Sequence, residues 1–94
     1  MSAWRYLTVD GIVATRPCKL LSVILTSDTT GVGKVVLYDE TSGVTGQEIA
    51  TLLCPDDQSV QFTFAGLELR RGLYVDIVEK VTCVTVEWQP LPTD

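Results

Sequence analysis

Paired carboxylates are the first place to look for chemistry in this chain, and two pairs occur, Asp39-Glu40 and Asp56-Asp57. Such pairs can divide general acid and general base roles, or hold a hard cation through their oxygens. On a strand, neighbouring side chains point to opposite faces, so neither pair could share one substrate there. In a loop they could converge, yet the ligand spacing of a calcium loop is missing. Both pairs therefore read as solvated turn acids. The chain has no histidine, which removes the commonest base and excludes a Ser-His-Asp triad. The same absence closes the route to a metal centre built on imidazoles. Gly31-Val32-Gly33 lacks the continuation of a nucleotide loop and reads as a hairpin feature. No enzymatic activity, catalytic residue, cofactor or metal ligand is expected.

Three cysteines, Cys18, Cys54 and Cys83, are widely spaced and odd in number. A secreted disulfide scaffold would carry an even count at higher density. No two are close enough to form a metal knuckle. They read as buried free thiols acting as small hydrophobes, in a chain that folds in a reducing cytoplasm. The formal net charge is −5, which disfavours nucleic acid, whose phosphates call for clustered lysine and arginine. The one basic pair, Arg70-Arg71, sits in a turn beside Glu68. The N-terminus has no basic region leading into an apolar core, so no signal peptide is expected. No apolar run approaches the roughly 20 residues of a membrane span, so no membrane partner is expected either.

Those side chains must be carried by strands. Ninety-four residues suit one domain, and an apolar share of 46% with 20% charged residues is ordinary for a globular chain. The organising stretch is GKVVLYDETSGVTGQEIATLL, residues 33–53, which reads as two strands, 34–38 and 48–53. They are joined by a polar connection, 39–46, too long for a two-residue turn. Ahead of it, residues 5–9 and 11–15 read as short strands, and 18–26 as a strand with Leu21, Val23 and Leu25 on one face and Leu20, Ser22 and Ile24 on the other. After it, residues 58–64 alternate most cleanly, placing Val60, Phe62 and Phe64 inward, both phenylalanines buried. Ala65-Gly66 reads as a turn and 67–69 as a short strand or bend. Residues 73–78 and 81–88 close the domain, the latter with Val84, Val86 and Trp88 on one face. Residues 89–94 read as an extended tail. The expected architecture is a single all-β domain over 1–94, an antiparallel jelly-roll sandwich of about eight strands, with an immunoglobulin-like sandwich as the alternative. Residues 1–10 either pack on this sandwich or form an arm to a neighbouring subunit.

The order of motifs resembles small jelly-roll virion structural proteins of tailed bacteriophages. The residues that carry the likeness are the strand Lys19-Leu20-Leu21-Ser22-Val23-Ile24-Leu25, then Val35-Val36-Leu37-Tyr38-Asp39 and the tip Thr41-Ser42-Gly43. Ile49-Ala50-Thr51, the phenylalanine strand with Phe62 and Phe64, Gly72-Leu73-Tyr74-Val75 and the valine–threonine strand 81–86 complete it. It spans residues 17–88. The resemblance implies a capsid decoration or cement protein, or a head-fibre or tail-associated piece, without enzymatic activity and commonly a homotrimer. Its partners would be further copies of itself and the major capsid protein or another virion protein. Its location would be the virion, after synthesis in the host cytoplasm. No tail-fibre repeat is present, which argues against a long fibre.

The residues add one independent expectation. Several strands carry apolar side chains on both faces, and a sandwich core takes only one. The second face is covered either by loops and termini or by another chain. Trp4, Tyr6, Leu7, Leu20, Ile24 and Tyr74 are the candidate contacts to a second subunit or a capsid. The alternative function is a carbohydrate- or receptor-binding module in which Trp4, Tyr38 or Trp88 stacks on sugar rings.

Overall fold

β-Branched and aromatic residues in alternation favour pleated, half-buried surfaces, and here they build eight strands and no helix among the described residues. A computed structural model describes residues 3–41 and 47–91. The strands are β1 (Ala3–Leu7), β2 (Gly11–Ala14), β3 (Cys18–Ser27), β4 (Gly33–Asp39), β5 (Gln47–Cys54), β6 (Ser59–Leu69), β7 (Leu73–Glu79) and β8 (Val81–Pro90). Most of the hairpin tip expected between β4 and β5, and the end of the tail, lie outside the described residues.

Two four-stranded antiparallel sheets result, β1-β8-β3-β6 (sheet I) and β2-β7-β4-β5 (sheet II). The expected all-β sandwich is what the chain forms. The pairs β1·β8, β2·β7, β3·β6 and β4·β5 make one antiparallel ribbon whose successive rungs fall in opposite sheets. That winding is consistent with a jelly roll. It differs from the immunoglobulin order, in which the first two strands share a sheet.

The inward side chains of both sheets form one core. Its fully buried members are Leu20, Leu25, Leu37, Leu73, Val23, Val35, Val75, Val84, Val86, Cys18 and Cys54. All but Cys54 come from β3, β8, β4 and β7, the central strands that have neighbours on both sides. The alternation read in β7 and β8 holds: Leu73 and Val75 point inward, as do Val84 and Val86, with Ile77 and Trp88 packed against them.

Three expectations need correction. The first concerns phase in β3. Pairing to both neighbours slips between Leu20 and Ser22, which leaves Leu21 as an extra residue. A bulge of this kind reverses which residues face inward. Leu20 therefore joins Val23 and Leu25 in the core, and Leu21 becomes half-exposed. The second concerns β6. Ala65 (φ 53°) and Gly66 (φ 82°) do not end the strand. They bulge within it, and residues 64–66 stand opposite Leu21. β6 is also an edge, so Phe62 and Phe64 point inward yet are only half-buried. The third concerns the termini. Packing on the sandwich, one of the two readings of the N-terminal segment, holds, but residues 3–7 and not 5–9 form the edge strand, paired along β8 from Trp88 to Val84. Gln89 and Pro90 extend β8 beside Lys19 and Cys18, past the point where β1 ends and a missing N–H is tolerated.

All three thiols are free, with Cys18 and Cys54 buried and Cys83 half-buried. Burial, then the charge of Asp39, pushes the Cys18 thiol up to about 11, so it is inert at neutral pH. The Cys54 thiol donates to the Gln58 carbonyl at 3.2 Å. Titration with a thiol reagent is expected to count three groups in denaturant and one, Cys83, in the native protein. A single reactive group in denaturant would reveal a bridge and contradict this account.

Candidate functional site

The acid pairs singled out in the sequence resolve into structure. Asp39 ends β4 and accepts backbone N–H bonds from Arg70 (3.2 Å), Arg71 (2.8 Å) and Gly72 (3.3 Å), so its carboxylate closes the β6–β7 turn. Glu40 accepts from the Thr41 N–H at 2.8 Å and pairs with Arg71 at 3.6 Å. Asp56 and Asp57 lie exposed in the β5–β6 turn, Asp57 at φ 57°. A cleft of about 320 Å³ opens beside Asp39 between the start of β5 and the end of β6, with Glu48, Ile49, Leu67 and Arg70 in its wall. Among the described residues no group of three or more Cys, Asp or Glu is placed to hold a metal ion.

The outer faces of the sheets carry the remaining candidates. On sheet I the strand register sets two rows. Tyr6 stands beside Thr85, then Ile24, then Gln61; Trp4 stands beside Glu87, then Ser22, then Thr63. Trp4 and Tyr6 are 56% and 63% exposed. Alternation puts both rings on one side of β1. A hydrogen bond to the Cys83 side chain, then the charge there, raises the Tyr6 phenol above its ordinary value. Ser22 is buried and donates to Glu87 at 3.2 Å. This face is aromatic at one edge, with Thr85 and Thr63 beyond it.

Sheet II is different. Ile12, Tyr74, Tyr38 and Glu48 form one outer row, and Asp76, Val36 and Thr51 the next. Val36 stands apart from the core cluster and yet is 6% exposed, so neighbouring side chains already cover it. Asp10 accepts the Ile77 N–H at 2.8 Å and meets Asp76. Burial first, then the charge of Asp10 and a hydrogen bond to it, raises the Asp76 carboxyl. Burial, then nearby carboxylates, likewise raises Tyr38 and Tyr74. Nothing in the local sequence pointed to Asp10 and Asp76. They are remote in the chain, and only the approach of the β1–β2 turn to β7 unites them.

The six candidate contacts thus divide. Trp4, Tyr6 and Ile24 share the outer face of sheet I, and Tyr74 lies on sheet II across the molecule. Leu7 and Leu20 are corrected to core residues, at 6% and 0% exposure. Leu7 points inward opposite Val84, and the bulge turns Leu20 inward. The sugar-stacking candidates are dispersed as well. Trp88 packs against the core beside a cleft of about 190 Å³ that includes Arg16 and Pro17, and Tyr38 lies among the acids of sheet II.

The Asp10–Asp76 contact makes a pH-dependent prediction. A carboxyl raised on folding contributes stability that is complete below the unfolded value of 3.8 and lost as pH rises through the folded one. Asp76→Asn is therefore expected to raise the unfolding midpoint at pH 7 and to lose that advantage near pH 3. Denaturant titrations at the two pH values measure it, and a variant less stable than the parent at pH 7 would contradict it.

In comparison with known proteins, no family model, no curated protein and no solved structure matches the chain.

Proposed function

We propose that this protein is a non-enzymatic structural component of a tailed-phage particle, assembling with copies of itself to decorate or cement the capsid. The observation that carries the reading is the exposure of Trp4 and Tyr6 side by side on the outer face of sheet I. Large amphipathic rings left in water on a small domain suit a contact surface, since burying them stabilises association more than most other side chains do. The resemblance of the motif order supplies the virion setting, the capsid protein as partner and the trimeric arrangement. Of the acid pairs singled out in the sequence, Asp39 caps a turn, Glu40 pairs with Arg71, and Asp56 and Asp57 lie exposed in a turn, which suits a binding role.

Mass spectrometry of purified particles from the source culture is expected to find this chain in many copies per particle. Trp4→Ala with Tyr6→Ala should then lower its occupancy while leaving the fold intact. Absence of the chain from particles would overturn the virion reading. A second reading, a carbohydrate-binding module, draws on the same two rings. It predicts a saturable soluble glycan ligand lost on Trp4→Ala.

A further inference from the structure

The four sheet edges are not equally protected. β1 is short, with Arg5 at its centre, and β2 is shorter still, with a break in register between Ile12 and Ala14. β5 carries Glu48 and a register break and runs into Pro55. Short length, charge, bulges and proline are the means by which sheets avoid pairing with other chains. β6 has none of these from Ser59 to Phe64. It lies within residues 58–67, the longest run of the chain without a charged side chain. Its inward residues Val60, Phe62 and Phe64 are half-buried, and so are Ile49 and Ala50 on β5, the edge of the other sheet. The sandwich is therefore incompletely closed along this side.

We infer that the free edge of β6 pairs antiparallel with β6 of a second copy, about a two-fold axis at Phe62. This rests on the self-assembly part of the proposed function and assigns it to the edge of sheet I opposite the one that carries Trp4 and Tyr6. Directly opposed residues in an antiparallel ladder share a face. With Phe62 opposite Phe62, Val60 of each copy meets Phe64 of the other on the apolar side, and Gln61 meets Thr63 on the polar side. The strand is thus complementary to itself, as a two-fold contact requires. Charge does not oppose this occupant at the contact itself. Two copies each at −5 repel over most of their surfaces, and this uncharged run lets them approach. The bulge at Ala65 and Gly66 ends the straight run before Glu68 would come opposite Asp56 of the second copy. The contact makes one continuous eight-stranded sheet and covers the half-exposed phenylalanines.

The register gives the test. Gln61 and Thr63 are exposed and point away from the core, so charges there spare the fold. In sedimentation velocity across a concentration series, Gln61→Lys with Thr63→Lys is expected to abolish the two-chain step, weakening it at least tenfold. Gln61→Lys with Thr63→Glu, which places opposite charges across the axis, is expected to restore it. Circular dichroism confirms folding of both variants. Equal association by both variants would overturn the β6 contact while leaving particle occupancy, and hence the proposed function, untouched. Association of β6 with an added unrelated extended peptide, but not with itself, would overturn the second copy as occupant.

Discussion

Leu20→Ala is expected to cost about 3–5 kcal/mol, and Leu21→Ala less than about 1 kcal/mol, although both are leucines on the same strand. Leu20 is fully buried, paired to Leu67 on one side and Trp88 on the other, whereas Leu21 is the half-exposed bulge residue. Truncating Leu20 removes buried methyl groups and leaves a cavity between two sheets held apart by their other residues. Truncating Leu21 removes atoms that already touch water. Denaturant unfolding of the two variants measures the difference, provided the m-values agree with the parent. The reverse order of costs would mean that β3 runs without a bulge, with Leu21, Val23 and Leu25 as its inward face.

Gly72→Ala is the second large effect. A Cβ at Gly72 would be driven into the Ala14 carbonyl oxygen and would meet Thr41 Cγ2 at 3.0 Å. The obstacle is backbone, so no rotamer change relieves it. Gly72 also donates its N–H to Asp39, which fixes the turn between β6 and β7. Moving the chain aside would loosen that cap. A cost of about 3 kcal/mol, the upper end of ordinary overpacking, is expected. Gly66 provides the comparison. It sits at φ +82°, but a Cβ there would meet only Lys19 Cδ, at 3.9 Å. Gly66→Ala should then cost about 1 kcal/mol, the conformational penalty without the clash. Equal costs for the two substitutions would show that space at Gly72 is not limiting.

These two sites show where the sequence was legible. β7 and β8 were readable because alternation runs unbroken over residues 73–77 and 84–88, between the register breaks at Val78 and Thr82, and each strand is flanked on both sides, so pattern and burial coincide there. In β3 the elements were readable but the phase was not. A bulge is defined by the neighbouring strands, and CKLLSVILTS carries apolar residues at both parities. Much of the two-faced character read there was this change of phase, since only Leu21 and Ile24 remain as its outward apolar residues. Phe62 and Phe64 were assigned the right face but too much burial, because alternation cannot distinguish an edge strand from a central one. Asp39 was read as half of a local acid pair, when its partners are three N–H groups more than thirty residues further on. The aromatic pair Trp4 and Tyr6 was legible as a candidate contact. Leu7, an odd position beside Trp4 and Tyr6, is divided from them by the alternation of the same short strand, a signal that the sequence carried and the grouping of contacts passed over.

Self-assembly is the claim on which the functional account turns, and light scattering coupled to size exclusion measures it most directly. At micromolar concentration the purified protein is expected to have a mass of at least two chains, falling toward one on dilution or when Trp4, Tyr6 and the β6 positions are altered together. A single-chain mass, unchanged up to about a hundred micromolar, would contradict the account.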